Sequence, residues 1–160
     1  SVKDGKWLEH IRLGYNYRMT EVQAAMGIVQ LERLEQFIDK RTRLATRYNE
    51  LLQSVTGIIT PREIKGSKSS WFVYVITLTK NYSRQNRDLI LEKLRSSGVQ
   101  CSNYFQCIHL QPFYREQFNY TAGAFPIAES IADRTIALPF FNNLSEEQLN
   151  YVVSIVKTCL

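Results

Sequence analysis

Apolar residues recur at three- and four-residue steps between positions 20 and 55: Val22, Met26, Val29, Leu34, Phe37, Ile38, Leu44, Tyr48, Leu51 and Leu52. That period predicts one long helix over 20–55. Thr20 followed by Gln23 is a capping box at its start: the hydroxyl accepts from an early helix N–H and the amide side chain reaches back. Gly27 interrupts the good helix formers at a cost of up to about 1 kcal/mol, and Gly57 suits a chain reversal at the far end. The period then changes. Ile58 and Ile59 read as a short strand, Pro61 to Ser70 as a polar loop, and Trp71 to Thr79 (WFVYVITLT) as the clearest strand, rich in β-branched and aromatic residues. Ser83 caps a helix running to about Ser97, with Leu89, Ile90, Leu91 and Leu94 as its apolar face and Gly98 at its end. Val99 to Phe105 reads as a further strand feeding a loop with His109, Gln111 and Pro112, followed by a short helical turn over 113–118. Pro126 opens a helix over 126–134, Thr135 to Leu138 is a strand stopped by Pro139, and Ser145 with Gln148 is a second capping box before a helix over 146–158. Strands alternating with helices over short connections predict an α/β (α+β) fold: a two-layer sandwich with a small, mainly antiparallel sheet and a long N-terminal helix.

The 160 residues suffice for one core with an attached arm. Residues 1–13 carry Trp7, Leu8, Ile11 and Leu13 among charges and are expected to pack against something other than this domain. The opening SVKDGKWLEH has neither Met nor a cap, which suits a piece of a longer protein. No apolar run reaches the length of a membrane span, and no signal-peptide pattern opens the chain. The net charge is +5, but Lys40, Arg41, Arg43 and Arg47 interleave with Glu32, Glu35, Asp39 and Glu50 as on a solvated helix face. Neither a single-sign stripe nor a stacking module for nucleic acid is visible. Three cysteines, Cys101, Cys107 and Cys159, are an odd number and point to reduced, cytoplasmic thiols rather than a disulfide framework. Cys101, Cys107 and His109 match no usual zinc spacing, so no metal site is assigned.

No self-contained active site emerges. There are two histidines, no glycine loop at phosphate-binding spacing, and paired carboxylates only where helix caps account for them, as at Glu146 and Glu147. The stretch that stands out is residues 14–26, GYNYRMTEVQAAM: two tyrosines, an asparagine and an arginine directly before a capped helix start. On spacing alone this is either a ligand-reading turn held by a rigid helix or simply a turn.

The longer run GYNYRMTEVQAAMGIVQLERLEQF, with NYFQCIHLQPFYREQF at 103–118 and FPIAESIADRTIALPFFNNLSEEQLNYVV at 125–153, resembles in order the C-terminal part of the DegT/StrS family of pyridoxal-phosphate sugar aminotransferases. The resemblance covers nearly the whole chain. It implies the C-terminal small domain of a fold-type I transferase, with residues 1–19 an arm belonging with a missing large domain, 20–55 a connecting helix and 56–160 the small domain. It implies that the full enzyme binds pyridoxal 5'-phosphate and moves an amino group, with glutamate as the expected donor, onto a nucleotide-linked keto-sugar, as a homodimer. By resemblance, Asn16 and Arg18 would reach the cofactor phosphate or a nucleotide diphosphate, Tyr15 and Tyr17 would wall the pocket, and Tyr104 and His109 would face the sugar. None of the lysines sits in the family's Schiff-base context, so the chain alone is expected to bind no cofactor and to be inactive. Gln106 and Cys107 stand where relatives often carry prolines, which makes the loop before His109 less constrained. The same resemblance leaves open a regulatory or sugar-nucleotide-binding protein of the pleiotropic regulator type, and a dimerisation module built on the long helix is a third reading.

Overall fold

The structure is a computed structural model that describes residues 14, 15 and 17–160. The expectation for residues 1–13, with Trp7, Leu8, Ile11 and Leu13, and the assignment of Asn16 lie outside the described residues. The chain divides into two compact units, Ser1–Leu34 and Glu35–Leu160.

In the first unit, α1 spans Glu21–Glu32, and Thr20 caps it as its sequence dictates: the Thr20 hydroxyl accepts from the Gln23 N–H at 3.3 Å, and Gln23 Oε1 accepts from the Thr20 N–H at 3.0 Å. None of the α1 residues is buried; Val22, Met26 and Leu31 are each about two-thirds exposed or more.

The single long helix expected over 20–55 is divided. The helix halts at Arg33, whose N–H closes a tight three-residue step onto the Gln30 carbonyl at 3.2 Å, and α2 runs from Leu34 to Leu52. No proline or glycine marks this point, so the apolar period reads straight through it.

The second unit is built on a three-stranded antiparallel sheet in the order β1 (Ile58–Ile59), β2 (Tyr74–Leu78), β3 (Thr135–Leu138). Its register pairs Tyr74 with Leu138 and Thr77 with Thr135. Helices α3 (Arg84–Ser96) and α6 (Glu146–Cys159) pack on each other, α3 also meets β3, and α4 (Pro112–Phe118) and α5 (Pro126–Ala132) lie between α3 and β3 in sequence. The alternation of β2 buries Tyr74, Ile76 and Leu78, which join Ala45, Tyr48 and Leu52 of α2, Ile90, Leu91 and Leu94 of α3, and Leu149, Val152, Val153 and Val156 of α6 in one hydrophobic cluster. Ser83 caps α3 with Asn86 and Ser145 caps α6 with Gln148. At the end of α3, Gly98 (φ +76°) sends its N–H to Arg95 and lets Val99 reach back to Leu94, a pair of bonds that requires the left-handed residue between them. Gly57 (φ +93°) is required twice over, because a Cβ there would lie 2.8 Å from Tyr82 Oη.

Two buried tyrosines tie α2 to the sheet. The rings of Tyr48 and Tyr74 stack at 4.6 Å, Tyr48 Oη donates to the Pro139 carbonyl at 2.9 Å and Tyr74 Oη to Asn49 Oδ1 at 2.6 Å. Burial pushes both phenols above their ordinary range.

The strand expected over Val99–Phe105 reduces to one bridge, Ser102 to Ala137. The carbonyls that a ladder would use are claimed from elsewhere: Arg95 Nε donates to Cys101 O at 3.1 Å and Thr135 Oγ1 to Tyr104 O at 3.2 Å. Phe105 then turns left-handed (φ +47°), which ends the extended run.

Candidate functional site

The candidate residues fall into two groups, one in each unit. In the first unit, Tyr15 and Tyr17 precede the capped start of α1. Their rings stack at 5.6 Å with 15° between planes, and they are 73% and 91% exposed. Arg18 is exposed and makes no hydrogen bond or ion pair among the described residues, so its planar fork of donors is directed to solvent. The Thr20 cap fixes where the helix starts, and with it the point at which this turn leaves the rigid element.

In the second unit, His109 sits in a single 3-10 turn, Ile108–Leu110, just before α4. Its ring is buried and lies edge-on to Phe125 at 4.8 Å and to Tyr120 at 6.2 Å. His109 Nε2 lies 2.9 Å from Glu129 Oε1. Glu129 belongs to the first turn of α5, which Pro126 opens. Its carboxylate also accepts from the Gly123 N–H at 3.0 and 2.9 Å and from the Phe125 N–H at 3.2 Å. These donors, the Gly123 amide first and then the His109 side chain and the Phe125 amide, hold the Glu129 carboxyl below its ordinary pKa.

His109 forms part of the wall of an open cavity of about 520 Å³, together with Cys107, Tyr114, Phe118, Tyr120 and Phe125. The walls are mainly apolar and aromatic, with the imidazole as the main polar group. Such a surface suits the apolar face of a ring that also carries a hydrogen-bonding group. Tyr104 does not line this cavity; its ring packs at 4.7 Å against Phe105 and its carbonyl is held by Thr135. The structure thus brings His109 together with aromatic residues that periodicity did not single out, and keeps Tyr104 apart from them. Glu129, Tyr120 and Phe125 are the additions. The acid in the first turn of a proline-opened helix was the available signal for Glu129, but nothing in its spacing connects it with a histidine twenty residues earlier.

Cys107 is half-buried beside this group. Burial first, then the charges of Glu129 and Asp133, push its thiol above the ordinary range, which disfavours the nucleophilic thiolate. No group of three or more His, Cys, Asp or Glu side chains able to hold a metal ion occurs among the described residues. No helix among them is long and apolar enough to cross a membrane.

The sequence profile of the DegT/DnrJ/EryC1/StrS aminotransferase family matches residues 1–157, and the chain belongs to that family. The dTDP-4-amino-4,6-dideoxy-D-glucose transaminase of Escherichia coli is 34% identical over 149 residues, which cover 92% of this chain and 39% of that protein. A pleiotropic regulatory protein of Geobacillus stearothermophilus is 34% identical over 151 residues, covering 92% of this chain and 38% of its own length. The crystal structure of the aminotransferase TlmJ from Streptoalloteichus hindustanus superposes with a TM-score of 0.80 at 28% identity, over 94% of this chain and 39% of that one. The chain spans about 40% of the length of the curated relatives it matches.

The depressed Glu129 pKa has a pH signature. A carboxylate whose folded pKa lies below its unfolded value contributes stability that is fully present above the unfolded pKa, about 4.3 for glutamate, and is lost as pH falls through the folded value. Glu129→Gln should therefore lower the urea midpoint at neutral pH, and the gap from the parent chain should close on acidification below the ordinary carboxylate range. Urea titrations from neutral to strongly acidic pH measure it; a gap that stays constant with pH would mean the carboxylate charge contributes nothing.

Proposed function

We propose that this chain is the C-terminal portion of a pyridoxal-phosphate-dependent aminotransferase that aminates a nucleotide-linked keto-sugar with glutamate as donor. The observation that carries this reading is the exposed trio Tyr15, Tyr17 and Arg18, a pair of stacked rings and a guanidinium without a partner among the described residues ahead of a fixed helix start, in a chain similar over 92% of its length to a nucleotide-sugar transaminase. Arginine suits a phosphate because its planar fork engages two oxygens at once. In this reading Asn16 and Arg18 reach a cofactor phosphate or a nucleotide diphosphate, Tyr15 and Tyr17 wall the pocket, and His109 and Tyr104 serve the sugar. Residues 1–19 belong with a large domain outside this chain and 56–160 form the small domain.

The described residues do not by themselves fit a resident pyridoxal phosphate. Every described lysine is exposed, and Lys68 is paired with Glu35. The reading therefore assigns the cofactor and its imine-forming lysine to the rest of the enzyme, and to this chain a share in binding and orienting the substrate. The similarity to a pleiotropic regulatory protein favours a second reading, in which the same turn and cavity bind a sugar nucleotide without catalysis.

A transamination assay of the full-length protein with glutamate and nucleotide-linked keto-sugars separates the two: turnover supports the first reading, and tight sugar-nucleotide binding without turnover the second. In the active enzyme Arg18→Ala should cost roughly 1.5–3 kcal/mol of binding or transition-state stabilisation, the range of a hydrogen bond to a charged group, with little change in thermal stability. Wild-type turnover and cofactor affinity in that variant would make Arg18 a surface residue only. For the 160-residue chain alone, pyridoxal phosphate followed by borohydride should give no stoichiometric adduct; one lysine fully labelled at low cofactor concentration would overturn the assignment. The exposed apolar residues of α1 are expected to be covered in a homodimer, so light scattering of the full-length protein should give twice the chain mass, and a monomer at high concentration would remove that element of the proposal.

A further inference from the structure

We infer that Glu129 is a positioning residue for His109: its carboxylate fixes the imidazole with the proton on Nε2 and leaves Nδ1 as the acceptor offered to a ligand hydroxyl or N–H. The inference rests on the reading of His109 as a substrate-facing residue and adds the group that sets its chemistry.

The argument starts from donors and acceptors. Backbone N–H groups only donate, and an ionised carboxylate only accepts. Gly123 and Phe125 direct their N–H groups at the Glu129 carboxylate. A proton on that carboxyl would compete with these donors, and their convergence keeps it ionised. His109 Nε2, 2.9 Å from Oε1, must then be the donor in that contact. In a neutral imidazole the other nitrogen is then bare, because the partner of one nitrogen decides the state of the second.

The bare nitrogen is accessible. His109 has no further hydrogen bond among the described residues, and no fully buried side-chain nitrogen or oxygen among them lacks a partner. Nδ1 therefore reaches solvent, on a ring that lines the aromatic cavity. Phe125 and Tyr120 stand edge-on to the ring, so turning it over to exchange the nitrogens displaces both. A cap for α5 alone would need only the Phe125 and Gly123 amides. The bond to a histidine on a separate element twenty residues away is the part that capping does not require. The cavity is thus largely aromatic, and the imidazole that lines it carries an acceptor of fixed identity, which suits ligands with a ring face and an adjacent O–H or N–H donor, as a sugar has.

The direct test is the imidazole nitrogen-15 spectrum of this chain at about pH 8, above the ordinary imidazole range. The parent should show His109 protonated on Nε2 alone, with Nδ1 at the shift of a bare nitrogen. Glu129→Ala, which removes the acceptor, should lose that preference and show mixed tautomers, with the backbone amide spectrum confirming the fold. A parent His109 that is protonated on Nδ1 or already mixed overturns the inference even if the variant does not fold, as does an unchanged tautomer in a folded Glu129→Ala. In the full-length enzyme Glu129→Ala should raise the KM for the nucleotide sugar by about tenfold, the order of one lost hydrogen bond. The same substitution should have no further effect in a His109→Phe background. An equal KM penalty with and without His109 would show that Glu129 acts as a structural staple only. The tautomer measurement does not depend on transamination, so an inactive full-length protein would remove the proposed function while leaving the positioning result to stand or fall separately.

Discussion

β3 is hydrogen-bonded along both edges, and the position of the His109 cavity follows from that. On one side its four residues pair with β2 from Tyr74 to Thr77. On the other, Ala137 exchanges bonds with Ser102 at 2.8 and 3.3 Å, and Thr135 Oγ1 takes the Tyr104 carbonyl. The loop that ends in His109 is thereby tied to the same strand that α5 and Glu129 precede. Two buried arginines reinforce the junction. Arg134 accepts from the Leu78 N–H at 2.8 Å through its own carbonyl and donates to the Leu78 carbonyl through its guanidinium, which extends the ladder past the strand. Arg87 donates to the carbonyls of Ala132 and Thr135, at the end of α5 and the start of β3, while Asp88 at 2.7 Å balances its charge. Removing either guanidinium takes the donor from a buried carbonyl, Thr135 O for Arg87 and Leu78 O for Arg134, a loss of about 1–3 kcal/mol where no other partner replaces it.

The same logic explains how a buried imidazole and a largely shielded carboxylate coexist beside aromatic walls. A polar group removed from water is costly unless its hydrogen bonds are replaced. Here Glu129 receives two backbone N–H groups that the start of α5 and the preceding turn would otherwise leave unpaired. Pro126 at the first helical position contributes no N–H, so the carboxylate serves the amides that do need a partner. His109 completes the set. The network closes over donors that the helix start already supplies, which is why it persists next to Phe125 and Tyr120 without a further charged partner.

Local rules governed much of what was legible in the sequence. The capping boxes at Thr20 and Ser145, the limits of β3 and the glycine chain reversals at 57 and 98 all depend on neighbours within a few residues, and each is found where the sequence puts it; the strand expected over Trp71–Thr79 is shorter, β2 running from Tyr74 to Leu78 with Trp71 left-handed (φ +46°) outside it. The misreadings have distant causes. Residues 99–105 have strand composition, but Arg95 and Thr135 take their carbonyls, and neither donor belongs to the segment. The halt at Arg33 carries no glycine or proline, so no local signal distinguishes it from mid-helix. His109 was visible through its motif, whereas Glu129, Tyr120 and Phe125 meet it only because β3 and α5 bring separate loops together.

The arginines of this chain show how far exposure alone can identify function. Arg41 is bonded to Asn142 and the Trp71 carbonyl, Arg47 to Glu146 and Glu50, Arg95 to Cys101, and Arg87 and Arg134 are buried clamps. Each has a structural role sufficient to explain it. Arg18 has none among the described residues, but neither do the exposed Arg43 and Arg62, so lack of a partner does not single it out. Its setting does. Arg43 lies within α2 among alternating charges and Arg62 in a polar loop, where solvent is a sufficient partner. Arg18 follows two stacked tyrosines that remain in water at evident hydrophobic cost, at a helix start whose capping box is already complete. Among the described residues this segment has only the stacking of its own two rings, and it leaves aromatic surface and a cation exposed beside a rigid helix; the pocket and phosphate roles proposed for it would use both.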